Sequence, residues 1–306
     1  RFEHKVNRTV CQGCQNHCML TVSVFPGGRR HVSGNRCEKA LRGESAAKPG
    51  ENIFAYKRER MFAYPPLEPE NAPRGEIGIP RVLNMYENYP FWATFFRDLG
   101  FRIILSPFST RAIYELGMES IPSESECYPA KLAHGHAQWL IDHGIKTIFH
   151  PCVFYEHQEV PGAQNHFNCP IVVSYPENIK NNVEAVTDGS VRYLHPFLAF
   201  TNEKVASDRL AQFCKEVWNI PEKETRHAAH LAWEEQRRAK ADVRAAGAKA
   251  LADMEKNGGS GIVLAGRPYH VDPEINHGIP ELIAAYGLTV LTEDCLPINF
   301  TPKRPV

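Results

Sequence analysis

The stretch YPAKLAHGHAQWLIDHGIKTIFHPC, residues 128–152, changes from a helical pattern to a strand pattern and ends on a cysteine. Over 128–143, apolar and aromatic residues fall on one side of a helix, and Gly144 follows as a typical helix stop. The apolar run at 146–150 is short and bounded, which predicts a buried strand. A helix that leads directly into such a strand is the repeating unit of an α/β sheet.

The same alternation extends in both directions along the chain. Short apolar runs predict the other strands at 81–85, 101–105, 170–174, 190–194, 261–266 and 288–294. Amphipathic patterns predict further helices near 89–99, 109–117 and 279–286, with a turn near 177–185. We therefore predict an α/β fold with mostly parallel sheets.

The composition changes along the chain and predicts five parts. They are a Cys-rich metal-binding knuckle (1–47), a Pro-rich linker (48–79), an α/β lobe (80–200), a helical connection (201–258) and the start of a second α/β lobe (259–306). The connection includes a long helix over 221–256, which begins at a proline and ends before a pair of glycines. The chain does not begin with Met and its second lobe is short, so we expect a fragment of a longer protein.

The 306-residue chain has the bulk composition of an ordinary soluble protein, with 43% hydrophobic and 23% charged residues. Thirty-five acidic residues balance 35 basic ones, so the total charge does not indicate a nucleic-acid or anionic-membrane partner. No apolar run approaches the roughly 18–20 residues that span a bilayer. Nine cysteines, four of them clustered near the amino terminus, favour metal ligation in a reducing cytoplasm over a disulfide scaffold. We therefore predict a cytoplasmic protein without nucleic-acid or membrane partners.

The first group of thiols is Cys11, Cys14, Cys18 and Cys37, in the pattern Cys-x2-Cys-x3-Cys followed by a distant cysteine. Four thiolates at such spacing can bind one zinc ion or anchor a [4Fe-4S] cluster, and the spacing does not choose between these two. A bound metal would also supply folding energy to this small polar region. The alternative is a pair of local disulfides or unliganded thiols.

The second group of thiols is spread along the chain but shares one position in the predicted fold. Cys152 and Cys295 follow predicted strands and Cys127 precedes a predicted helix, so all three lie on the carboxyl side of strands. Open α/β sheets bind ligands at that edge, and helix N-termini there favour thiolate over thiol. Three such thiolates predict an iron–sulfur cluster with one iron open to a further ligand. The alternatives are zinc held by three thiols and ordinary buried cysteines.

Three further residues are assigned one by one. His150 directly precedes the Pro–Cys pair and is a candidate acid or hydrogen-bond donor at the second thiol group. Cys169 stands at the amino end of its predicted strand, which is the wrong end for that group, and Cys214 lies in a helix among apolar neighbours. The sequence contains neither a dinucleotide-binding glycine fingerprint nor a phosphate loop.

Several segments resemble one protein family. They are GCQNHCMLTVSVFPGGRRHVSGNRCEKA (13–40), SESECYPAKLAHGH (123–136), FHPCVFYE (149–156), NCPIVVSYPENI (168–179) and AGRPYHVDPEINHGIPEL (265–282). On these residues the chain resembles the CoA-substrate-specific enzyme activase-related proteins, and in particular their uncharacterised activase domain. That domain is similar to the subunits of 2-hydroxyacyl-CoA dehydratases and to double-cubane-cluster proteins.

The resemblance implies Rossmann-like lobes that hold an iron–sulfur cluster, [4Fe-4S] or double cubane, near a domain or subunit interface. By position, Cys127, Cys152 and Cys295 correspond to the three cluster ligands of a dehydratase subunit. The resemblance also implies a homo- or heterodimer and an ATP-dependent activator as partner, on the same full-length chain or on another. The amino-terminal knuckle is absent from the dehydratase subunits and separates this chain from them.

The leading functional hypothesis is an iron–sulfur electron-transfer or reductase component related to 2-hydroxyacyl-CoA dehydratases and their activators. One alternative is a non-catalytic module whose zinc knuckle docks it onto an ATPase activator. The other alternative is an enzyme, a component of a CoA-thioester dehydratase.

Overall fold

The computed structural model describes residues 4–12, 15–26, 30–36, 49–159 and 165–297. The helices in these ranges are α1 (Ile53–Met61), α2 (Met85–Asp98), α3 (Arg111–Leu116), α4 (Tyr128–Asp142), α5 (Pro170–Asn182), α6 (Glu184–Thr187), α7 (Glu203–Trp218), α8 (Glu222–Asn257), α9 (Pro273–Asn276) and α10 (Ile279–Ala285). The strands are β1 (Lys5–Val10), β2 (Met19–Val24), β3 (Arg30–Ser33), β4 (Glu76–Ile79), β5 (Arg102–Leu105), β6 (Thr147–Phe149), β7 (Cys152–Val153), β8 (Arg192–Leu194), β9 (Phe197–Leu198), β10 (Gly261–Leu264) and β11 (Thr289–Thr292).

The main sheet is parallel and has the strand order β5-β4-β6-β8. Two further pairs, β7–β9 and β10–β11, are also parallel. Parallel neighbours need long crossover connections, and helices supply them here. At the amino terminus, β1, β2 and β3 form a separate antiparallel sheet. The predicted α/β class with mostly parallel sheets is confirmed.

Helix α2 lies at the centre of the largest buried cluster. Its segment FWATFF (91–96) contributes Phe91, Trp92, Phe95 and Phe96, each at most 1% exposed. These rings pack against side chains of the main sheet and of α7 and α8. Each buried aromatic side chain contributes roughly 1.5–3 kcal/mol to stability. The cluster therefore fixes the sheet to the long helical segment that follows it in the chain.

Helix α8 has 36 residues and a length of about 54 Å. It packs on α1, α2 and α7 and reaches β11 in the second lobe. Its buried face is rich in alanine, which allows neighbouring elements to approach closely. Near its carboxyl end, a Cβ atom at Gly247 would lie 2.7 Å from the sulfur of Cys295. The predicted long helix is confirmed, and its small residues allow the second lobe to pack directly on it.

The predicted strand at 81–85 is wrong, because the strand in this part of the chain is β4, which begins five residues earlier and lies between β5 and β6 in the sheet. Gly78 belongs to β4, where a Cβ atom would lie 2.8 Å from the Ile145 side chain. The residues after β4 turn into α2, and Leu83 has a left-handed φ of 49°, which a strand does not allow. Both β4 and α1 lie in the range predicted as a linker, 48–79.

The predicted strand at 170–174 is also wrong, because these residues begin α5. Pro170 occupies the first turn of the helix, where its missing N–H has no cost. Val172, Tyr175 and Ile179 are buried at the spacing of one helical face. The β-branched run in PIVVS resembles a strand locally, but packing of this face selects the helix. The predicted turn near 177–185 is instead the end of α5 followed by α6.

None of the helices in the described part of the chain combines the length and the apolar character that a membrane span requires.

Candidate metal centre

Three side chains with metal-binding atoms meet where β7 pairs with β9. Cys152 begins β7, Glu177 lies in α5, and His195 lies in the loop between β8 and β9. The Cys152 sulfur, a carboxylate oxygen of Glu177 and a ring nitrogen of His195 all lie within 4.8 Å of one another. Among the residues that the structure describes, these three side chains form the one group of His, Cys, Asp or Glu donors that is compact enough to hold a metal ion. We call these residues the Cys–Glu–His group.

Backbone pairing explains why Cys152 and His195 face each other. The N–H of Cys152 donates to the carbonyl oxygen of Pro196 at 2.9 Å, and Cys152 pairs with Phe197 in the β7–β9 ladder. Pro196 has no N–H to donate, which interrupts the ladder between β8 and β9. The register nevertheless continues across it and brings Cys152 beside the residue that precedes Pro196.

Glu177 reaches the same point from α5, which packs on β7. One carboxylate oxygen lies 2.7 Å from His195 Nδ1 and the other lies 3.6 Å from Lys180 Nζ. The His195 Nδ1 atom is buried and, in spite of the short distance, has no hydrogen bond of acceptable geometry. The side chains of Glu177 and His195 are 32% and 19% exposed, so solvent reaches the group from their side.

Burial makes the charged forms of these groups costly. Cys152 is fully buried, and this burial, together with Glu177, raises the pKa of its thiol to about 12. Burial also lowers the pKa of His195, against the opposing effect of Glu177. The thiol is therefore protonated and the imidazole neutral near pH 7. A cation between them would reverse this cost and favour the thiolate.

His150, the predicted acid, is buried and lies two residues before Cys152 in the chain. Its Nδ1 atom is 2.7 Å from the Tyr193 hydroxyl oxygen. Burial, assisted by the nearby His195, lowers the pKa of His150 to about 3, so its ring is neutral. Burial raises the pKa of Tyr193 well above its usual range, and Cys152 contributes in the same direction. His150 and Tyr193 thus form a hydrogen-bonded pair near the thiol, and the acid role of His150 stays a prediction.

Cys127 and Cys169 have equivalent positions in the fold, each directly before a helix. Cys127 is exposed and directly precedes α4, and the partly buried Cys169 directly precedes α5. These two helices pack on each other. Burial raises the pKa of Tyr269, and both thiols are near enough to raise it further. The sequence placed Cys169 at the opposite end because α5 was interpreted as a strand, and the structure corrects this position.

Cys295 has a third environment. It is fully buried in an apolar cluster with Ile53, Met61 and Leu291, and it packs against Gly247 of α8. Its thiol donates to the carbonyl oxygen of Thr292 at 3.1 Å. Burial raises the pKa of this thiol. Cys295 thus has the surroundings of a core cysteine in this conformation.

The three predicted cluster ligands therefore have separate surroundings. Cys152 belongs to the Cys–Glu–His group, Cys127 lies near Tyr269 and Cys295 is enclosed by apolar side chains. Their common ligation of a cluster stays a prediction. Sequence reasoning missed Glu177 and His195, because one lies in the misassigned helix and the other in a loop.

The predicted amino-terminal knuckle is described only in part. The N–H of Cys11 donates to the carbonyl oxygen of Cys18 at 2.9 Å, where β1 and β2 converge. Cys14 and Cys37 lie outside the described residues. A metal site formed by these four thiols therefore stays a prediction.

A search of curated proteins and a search of solved structures each gave no match. A family model described as the CoA enzyme activase uncharacterised domain (DUF2229) matches residues 76–296, well over half of the chain. The matched range includes the whole main sheet, the Cys–Glu–His group, Cys127, Cys169 and Cys295. The resemblance to activase-related proteins is thereby confirmed, and the chain belongs to the family of the CoA enzyme activase uncharacterised domain.

Proposed function

We propose that this chain is an iron–sulfur electron-transfer component of a CoA enzyme activase system. The observation that carries the proposal is the common position of Cys127 and Cys169, each directly before one of two packed helices and both near Tyr269. Cluster ligands are thiolates, and two thiols at one edge of an α/β layer are suited to begin such a site.

The local electrostatics favour ligation at this position. The first turn of a helix has unpaired N–H groups and the positive end of the helix dipole, which stabilise a thiolate. Cys127 is exposed and Cys169 is partly buried, so iron can reach both sulfurs. Of the two other predicted ligands, Cys152 faces Glu177 and His195, and Cys295 is enclosed. Cys127 and Cys169 are therefore the two thiols tested as ligands.

The test is iron and sulfide analysis of protein purified without oxygen. Wild-type protein is expected to be coloured and to contain iron and sulfide in equal amounts, as a cubane requires. Cys127→Ser and Cys169→Ser are each expected to lose most of the iron and the colour. Cys214→Ser is the matched control, because Cys214 is buried in α7, away from this edge. Iron that is unchanged in both ligand variants would contradict the proposal.

We further propose an ATP-dependent activator as partner, on the same full-length chain or on a separate one, and a cytoplasmic location. The family description supports an activator, and the sequence lacks a phosphate loop of its own. The free thiols of Cys127 and Cys169 agree with a reducing compartment. Reduction of the cluster by a purified activator should require ATP. Consumption of a 2-hydroxyacyl-CoA in the same assay would instead indicate a dehydratase component.

A zinc-binding docking module is the second candidate function. The β1–β2 hairpin supports it, because it brings the backbones of Cys11 and Cys18 within hydrogen-bond distance. This candidate predicts colourless protein with zinc that is lost in Cys11→Ser, and loss of activator binding in the same variant. Retained activator binding after loss of this zinc would exclude the docking role.

A further inference from the structure

We propose that Cys152, Glu177 and His195 form a binding site for a single zinc ion, separate from the proposed iron–sulfur cluster. The three donors come from a strand, a helix and a loop, and their ligand atoms lie within 4.8 Å of one another. Convergence from three elements distinguishes this group from pairs of neighbours on one helix, which often meet without binding anything. The inference is independent of the function proposed above.

The spacing of the donors is close to that of a zinc site. Zinc lies about 2.3 Å from sulfur and about 2.0–2.2 Å from nitrogen or oxygen, which separates tetrahedral ligands by roughly 3.3–3.7 Å. The closest pair here, Glu177 and His195, is 2.7 Å apart, and no pair exceeds 4.8 Å. Rotamer changes that move an atom by about 1 Å reach the required distances. Glu177 and His195 are partly exposed and can move in this way.

The charges and the bonding needs of the group also match zinc. A thiolate and a carboxylate neutralise the ion, and a neutral imidazole supplies the third ligand. The buried Nδ1 atom of His195 lacks a hydrogen bond, so it has a coordination position to offer. A single sulfur with nitrogen and oxygen is a donor set for one zinc ion, whereas iron–sulfur clusters are held mainly by thiolates.

The group is open to solvent on the side of Glu177 and His195. The hydrogen-bonded pair of His150 and Tyr193 lies near Cys152. Lys180 approaches Glu177 to 3.6 Å but is 46% exposed, so it can turn away when the ion binds. Three protein ligands leave a fourth position, which water or a substrate oxygen would occupy on the exposed side. The site thus has the ligand count of a catalytic zinc centre.

The experiment measures the binding of ZnCl2 to the full chain after metal removal with a chelator, using competition with a chromophoric chelator. Compared with wild type, Cys152→Ser is expected to bind one zinc ion fewer per chain. Glu177→Gln and His195→Gln are expected to weaken that ion by more than roughly tenfold. Zinc held by the amino-terminal thiols is common to all of these proteins and cancels in the comparison. Glu184→Gln, on the neighbouring α6, is the matched carboxylate control.

Cobalt gives a second readout that is independent of affinity. Co²⁺ should give a sulfur-to-metal charge-transfer band whose intensity falls by the contribution of one thiolate in Cys152→Ser and is unchanged in Glu184→Gln. Cys127→Ser and Cys169→Ser should keep the zinc, so failure of the cluster proposal does not affect this result. Unchanged zinc binding in both Cys152→Ser and Glu177→Gln would overturn the inference. Loss of iron in Cys152→Ser would overturn it as well and would assign Cys152 to the cluster.

Discussion

His136, buried in α4, and His195, partly exposed in the β8–β9 loop, both lie near an acidic side chain, but their hydrogen bonding differs. His136 Nδ1 is 2.7 Å from the Ser106 hydroxyl and Nε2 is 2.9 Å from the Ser109 hydroxyl. The Ser109 hydroxyl donates to the carboxylate of Asp272. His195 has its carboxylate at 2.7 Å, yet its buried Nδ1 atom lacks a hydrogen bond.

The difference between these two regions lies in how completely their polar atoms are paired. The Tyr86 hydroxyl also donates to Asp272, so a connected network joins α2 and α4 to the turn that precedes α9. A network of this kind stabilises a fold and leaves no atom for a ligand. In the Cys–Glu–His group one buried ring nitrogen, His195 Nδ1, has no hydrogen bond, and such an atom calls for a ligand or a counter-ion. A buried histidine near a carboxylate is therefore not by itself a site.

Asp272→Ala should have the largest effect and affect stability alone. The substitution removes the acceptor of the Tyr86 and Ser109 hydroxyls, and the acceptor of the Glu274 N–H at 2.8 Å. Because these donors stay buried without partners, we expect the free energy of unfolding to fall by about 3–5 kcal/mol. Denaturant titration measures it. The exposed Asp253→Ala, which loses only a surface pair with Lys249, is the control and should leave stability unchanged. Equal stability of both variants would show that the network is not structural.

Zinc should stabilise the protein through the Cys–Glu–His group and not through the network. At a free zinc concentration of 100 times the dissociation constant, the free energy of unfolding should rise by about 2.7 kcal/mol. A chelator should reverse the increase, Cys152→Ser should abolish it, and Asp272→Ala should retain it. Thermal unfolding with and without ZnCl2 measures the effect in wild type, Cys152→Ser and Asp272→Ala, and a further scan of wild type with chelator measures its reversal. An increase that survives in Cys152→Ser would assign the effect to another group.

The sequence predicts the elements around the His136 network better than those around the Cys–Glu–His group, because the first depend on local patterns. The pattern around His136 belongs to α4 and β6, whose periodicity is strong and whose ends are marked by Pro129 and Gly144. Periodicity is local, so it locates these elements correctly. It does not specify which side chains of distant elements bond to His136.

The metal region depends on interactions that are distant in the sequence. The run PIVVS has β-branched residues, and only burial of its Val172 and Tyr175 face against neighbours makes it helical. Glu177 lies in the same helix, so the direction of its side chain could not be derived while this segment was assigned as a strand. His195 is placed by two-residue strands, β7 and β9, which are too short to leave a pattern. Cys152 was found because its position after a strand is a local feature.

Stability below pH 7 should depend on His136. Burial lowers the pKa of His136 to about 3, with a smaller effect of Arg81, whereas the unfolded residue titrates near 6.5. The unfolded state binds more protons between these values, so stability is present above pH 6.5 and is lost as the pH falls toward 3. From pH 7 to pH 5 this residue should cost about 2 kcal/mol. His136→Gln should be less stable at pH 7 but should lose about 2 kcal/mol less over this interval.

Denaturant titrations at pH 7, 6 and 5 measure the difference between the two proteins. The comparison with wild type is needed because Glu156 acts in the opposite direction. Burial, with Glu87 nearby, raises the pKa of Glu156 to about 7. Its protonated form favours the folded state, so this residue adds stability as the pH falls from 7 toward 4.5. Parallel pH profiles for wild type and His136→Gln would contradict the assigned role of His136.

Glu177→Gln should have the smallest effect on stability and should separate the two regions most clearly. Without metal, Glu177 makes only partly exposed contacts, with His195 and with the ammonium group of Lys180. Such pairs contribute about 0–1 kcal/mol, so the metal-free variant should unfold within about 1 kcal/mol of wild type. Its zinc affinity should nevertheless fall by more than roughly tenfold. Asp272→Ala should show the reverse, a large loss of stability with unchanged zinc affinity. Glu177→Gln could instead destabilise the metal-free protein as much as Asp272→Ala does. Both carboxylates would then stabilise the fold, and the contrast between paired and unpaired polar atoms would not identify a binding site.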